Sequence, residues 1–148
     1  MGDLFAQEVI LGRVIKLEGA GKERKQLVRA VVLALRELMQ QKEPDVNTRD
    51  LAAFISLALQ AIYETIDESV AAWEKRGYWL KADRFRLEWA WSGNLGQKLH
   101  EALLNDDWTT IALTAAQVGE KLKNEKQPKR NRLGTPWVGA WKRLQGED

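Results

Sequence analysis

The chain has 148 residues, 45% of them hydrophobic and 30% charged, with a net charge of +2. This is the size and make-up of one globular domain that can bury a substantial core. With no cysteine there is no disulfide, zinc–thiolate site or thiol nucleophile, and the longest apolar run, residues 30–35, is far short of the roughly 20 residues a membrane span needs.

Residues 3–18 read as a first helix, capped by Asp3, with Leu4, Ile10 or Leu11, Val14 and Leu17 at helical spacing. Asp3, Gln7 and Glu8 interrupt any signal-peptide run, so a cytoplasmic protein is expected. Gly19-Ala20-Gly21 should break this helix. A second helix follows from about Lys22 to Lys42, burying Leu27, Val28, Val31, Leu35 and Leu38. The alternative of a buried strand at 30–33 is opposed by strongly helix-forming flanks.

A turn around Pro44 leads to Asn47 or Thr48 as the next N-cap, with Asp50 facing the positive helix end. This third helix should be the longest and most central, with Leu51, Ile55, Ala58, Ile62, Ile66, Val70 and Trp73 on one stripe. Lys75 and Arg76 before Gly77 are the chemistry of a helix end, against a kinked continuation. From Trp73 to Trp91 the chain packs four of its seven tryptophans among Lys75, Arg76, Lys81, Arg84 and Arg86. A fourth helix begins at Tyr78, with Tyr78, Ala82, Phe85 and Trp89 on one stripe and Leu80, Leu87 and Trp91 beside it. Arg84 and Glu88 should pair at i,i+4. Ser92 to Gly96 should weaken or interrupt this helix before Leu95, Leu99, Ala102 and Leu103 carry a face to about Asn105. A fifth, capped by Asp106, covers Asp107 to Asn124 and buries Trp108, Ile111, Ala115, Val118 and Leu122.

The fold class expected is therefore all-α: a four- to five-helix, mostly antiparallel bundle over residues 1–124. Residues 125–148 form a basic irregular tail with a short helix. In that helix Thr135 is the expected N-cap, and Trp137, Trp141 and Leu144 share one face. It either docks on the bundle or serves as a detachable motif for a partner's groove. From residue 120 to 143 eight basic residues stand against two acidic ones, a net +6, which leaves −4 for the rest of the chain.

Reactive chemistry is sparse. The single histidine, His100, has no second histidine or cysteine with which to share a metal, and none of Ser56, Ser69 and Ser92 sits in a nucleophile elbow. Glu64, Asp67 and Glu68 fall at i,i+3 and i,i+4 on one helix face, the spacing at which carboxylates hold a hard cation such as magnesium. The Glu64-Thr65-Ile66-Asp67 stretch resembles half of the carboxylate motif of all-α nucleotide pyrophosphohydrolases. That resemblance implies metal-dependent nucleotide hydrolysis, but the companion Glu-x-x-Glu on the preceding helix is missing. No cofactor is indicated. Lys121, Lys123, Lys126, Lys129, Arg130 and Arg132 could bind phosphates, with Trp137 and Trp141 stacking on bases. The leading expectation is a non-enzymatic interaction module, self-associating or bound to a protein partner through surplus aromatic surface. The alternatives are an RNA- or DNA-binding subunit and a metal-dependent hydrolase.

Overall fold

The structure, a computed structural model, describes residues 19–126 and 134–146, so the expected helix over 3–18 lies outside the described residues. Five helices follow in order: α1 (Gly19–Met39), α2 (Val46–Lys75), α3 (Trp79–Leu104), α4 (Trp108–Lys121) and the short α5 (Ala140–Leu144). Among the described residues there is no strand, and the fold is an all-α bundle. Segment 30–33 is helical and buried within α1. Gly19, Ala20 and Gly21 are helical, the first described turn of α1, and the expected boundary with a preceding helix adjoins residues outside the described ones.

Helix α2 is the axis of the bundle, as its apolar girth requires. Leu51, Ile55, Ala58, Ile62 and Ile66 have no exposed surface, and Phe54 and Leu59 extend the buried face around it. Its N-cap is Asp45, earlier than the neighbouring polar residues suggested, because Asp45 Oδ1 accepts from the Thr48 backbone N–H at 2.9 Å. Arg24 on α1 reaches Thr65 and Ser69 late on α2, so these two helices run antiparallel. The pairs Leu59–Gly96, Tyr63–Gly93 and Trp73–Phe85 set α3 antiparallel to α2.

Helix α3 runs unbroken through Ser92-Gly93-Asn94-Leu95-Gly96, where the glycines suggested an interruption. The facing helix supplies the reason. A Cβ on Gly93 would come within 2.9 Å of the Tyr63 ring, and one on Gly96 within 3.1 Å of Leu59 Cβ and 3.3 Å of the Gln60 backbone nitrogen. Both glycines let α2 and α3 approach closely, and Ser56 Oγ closes the contact by donating to the Gly96 carbonyl at 2.8 Å.

Asn105 and two aspartates separate α3 from α4. Asp106 takes a left-handed conformation (φ 54°) just past the end of α3, and Asp107 is the N-cap of α4, accepting from the Thr110 N–H at 3.1 Å. The expected cap at Asp106 is thus displaced by one residue. Ile111, Ala115, Val118 and Leu122 seal α4 against the main core.

The C-terminal segment joins the same core. Trp137, Ala140 and Leu144 are buried in it, although helix α5 starts at Ala140, not at the expected Thr135–Pro136 boundary. The buried Asp50 carboxylate accepts from the backbone N–H groups of Gly139 and Trp141, both at 3.0 Å. Arg49 adds a second tie. It pairs with Asp106 at 3.0 Å while its guanidinium lies 5.4 Å from the Trp108 ring and 5.9 Å from the Trp141 ring.

Candidate functional site

The aromatic stretch is arranged by the turn between α2 and α3. Gly77 (φ 82°) donates to the Glu74 carbonyl at 3.0 Å and Tyr78 to the Trp73 carbonyl at 2.9 Å, a Schellman ending that stops α2 and turns the chain back. Trp73 then meets Phe85 edge-on at 4.9 Å, Phe85 lies 6.4 Å from Trp89, and Trp89 stacks on Trp91 at 5.8 Å. Ile66, Val70 and Ala82 form a small second core beneath these rings.

Two cations flank the ring chain. Lys81 Nζ stands 4.5 Å from the centroid of Trp73. The half-buried Arg24 guanidinium lies 4.7 Å from the centroid of Phe85 and donates to Thr65 Oγ1 at 3.2 Å and Ser69 Oγ at 3.4 Å; burial pushes its pKa below the usual arginine value. Over residues 67–88 five acidic residues (Asp67, Glu68, Glu74, Asp83, Glu88) stand beside five basic ones (Lys75, Arg76, Lys81, Arg84, Arg86), so the charge around the rings is mixed.

The outer surface here is apolar. Of the nine exposed large hydrophobic side chains among the described residues, four lie between 78 and 87: Tyr78, Trp79 at 60% exposure, Leu80 at 65% and Leu87 at 79%. The sequence stripe placed Tyr78, Leu80 and Leu87 with the core. In the fold Ala82, Phe85 and Trp89 turn inward against α2, with the Arg24 side chain of α1 over Phe85, and Tyr78, Leu80 and Leu87 are left exposed. Trp73, Tyr78, Trp79, Lys81, Arg84 and Phe85 line an open groove of about 710 Å³. Arg84 and Glu88 do not form the expected ion pair, and Arg86 instead approaches Asp83 at 3.9 Å.

The reactive candidates lie elsewhere. Glu64 and Asp67 are exposed and Glu68 is half-buried on α2, and among the described residues no three His, Asp or Glu side chains are grouped to hold a metal ion. His100 Nδ1 is 3.3 Å from Gln60 Nε2, which donates to Ser56 Oγ at 3.1 Å. Since the Ser56 proton goes to the Gly96 carbonyl, this chain of bonds stitches α2 to α3 and offers no nucleophile–base pair. Ser92 Oγ donates to the Trp89 carbonyl at 2.7 Å. Neither Glu64 nor His100 lines the aromatic groove.

Of the basic tail, Lys121, Lys123 and Lys126 are exposed, with Lys123 paired to Glu120 at 2.7 Å. Lys129, Arg130 and Arg132 lie outside the described residues. Trp137 is only 6% exposed and Trp141 is half-buried against Arg49, so base stacking by these rings would first require the segment to leave the core.

Fold and surface together define a class: an all-α bundle with an exposed aromatic surface where α2 turns into α3. No family model, no curated protein and no solved structure matches this chain.

Proposed function

We propose that this chain is a non-enzymatic helical interaction module whose contact surface is the outer side of the α2–α3 end. The carrying observation is the cluster of Tyr78, Trp79, Leu80 and Leu87, large apolar side chains held in solvent at the start of a helix beside Lys81 and Arg84. Contiguous exposed apolar surface rimmed by polar groups is characteristic of binding faces. Aromatic and arginine side chains carry much of the energy of such faces. The basic tail supports a nucleic-acid reading less well, because the Trp137 ring needed for stacking is packed inside the fold.

Photocrosslinking tests this reading. A photoreactive phenylalanine analogue placed at position 79 should give one discrete protein adduct in native extract, and the same analogue at the remote exposed Leu113 should not. Excess unlabelled chain should compete the adduct away, and a Trp79→Asp/Leu87→Asp variant should not. Equal labelling at the two positions, or competition by the variant, would remove the basis for the proposal.

A further inference from the structure

The outer face of α3 carries a pattern that fits itself. Ala82, Phe85, Trp89, Gly93 and Gly96 turn toward α2, so helical spacing sends the exposed Leu80 and Leu87 to the opposite side, with the half-buried Trp91 continuing the same line. Arg84 and Glu88 lie one turn apart along one edge of that line. Both are exposed, of opposite sign, and not paired with each other.

From this we infer that the occupant of the face is a second copy of this chain, docked α3 against α3 in antiparallel fashion. A two-fold axis crossing the helix at Arg86 brings Arg84 to the height of the second copy's Glu88. The reciprocal pair forms by symmetry. Because the axis keeps like edges together, both pairs fall on the same flank. The axis also sets Leu87 beside its own copy and Leu80 against the second copy's Trp91. The Asp83–Arg86 approach at 3.9 Å on the other edge is exposed and does not oppose this pairing. Parallel docking would carry the Arg84–Glu88 edges of the two copies to opposite flanks, so the reciprocal Arg84–Glu88 pairs form only in the antiparallel arrangement.

A seam from Leu80 to Trp91 spans about 18 Å of helix, which places the interface among the small, reversible ones. The inference rests on the contact-surface reading above and names its partner.

Sedimentation equilibrium on the purified full chain, over a roughly hundredfold concentration range, reads the result directly. Wild type should rise from 16.9 kDa toward twice that mass. Arg84→Glu and Glu88→Arg each set like charges across the axis and should weaken self-association about tenfold or more. An equimolar mixture of the two variants should recover the wild-type behaviour, because acidic 84 and 88 then face basic 88 and 84. Circular dichroism should show both variants fully helical. A wild type that stays monomeric, single variants that associate like wild type, or a mixture that fails to recover overturns the pairing. If the chain is monomeric while position 79 still crosslinks to a different protein, the self-pairing falls and the contact-surface reading stands.

Discussion

Gly96 shows how one missing carbon decides the fit between two helices. In an isolated helix Gly→Ala adds about 1 kcal/mol of stability. Here the added Cβ would press on Leu59 Cβ and on the Gln60 backbone, which cannot rotate away. Overpacking of this kind costs about 1–3 kcal/mol, so Gly96→Ala should lower the urea midpoint despite its better propensity. Gly119 in α4 has open space where a Cβ would sit, with no neighbouring atom within 4 Å, and Gly119→Ala should raise the midpoint by the equivalent of about 0.5 kcal/mol. If both changes move stability the same way, close approach is not the reason for Gly96. Asp50 is the second decisive residue. Its carboxylate is the acceptor for two backbone N–H groups of the C-terminal segment. Asp50→Ala should cost about 2–3 kcal/mol and speed amide exchange over residues 137–144.

The element boundaries differ in how much of their cause is local. The end of α2 was legible at Gly77 because Lys75, Arg76 and a positive-φ glycine are neighbours in the chain. The central stripe of α2 was legible for the same reason, since a 3.6-residue period needs no partner to be seen. Continuity of α3 was not legible: glycines that signal a break in isolation are the contact residues once Tyr63 and Leu59 face them. The exposure of Leu80 and Leu87 was hidden too, because it depends on which side α2 occupies. The caps fell between these cases, with several polar residues in range and only geometry choosing Asp45 and Asp107. These two caps make a pH prediction. For Asp45 the Thr48 backbone N–H holds the pKa below the ordinary 3.8, and for Asp107 the Thr110 hydroxyl and then its N–H do so. A lowered folded pKa means stability that is present above 3.8 and is lost as pH falls through the folded value. Asp45→Ala and Asp107→Ala should therefore lower the melting temperature at neutral pH, and the gap to wild type should close in acid below both values. A gap that persists there would mean the carboxylates act other than as ionised caps.

At the scale of the whole molecule, the bundle has two cores of unequal size joined by one ring. The main core takes side chains from all five helices, whereas Ile66, Val70 and Ala82 form a small cluster under the aromatic end. Trp89 packs against both, and it also links Phe85 to Trp91 in the ring chain. A region with few buried contacts opens at lower free energy than the body it hangs from. The first three turns of α3 should accordingly exchange their amides sooner than residues 51–62 of α2. Trp89→Ala removes a half-buried ring, at about 2 kcal/mol, less than the range for fully buried tryptophans. Because that ring is the bridge, the loss should fall unevenly. Protection over 79–88 should drop more than protection over 95–104, where α3 is clamped by Gly96, Ser56 and Leu99. A uniform drop along α3 would show that the aromatic end is as firmly built as the rest. Its exposed apolar side chains would then sit on an element no less stable than the main core.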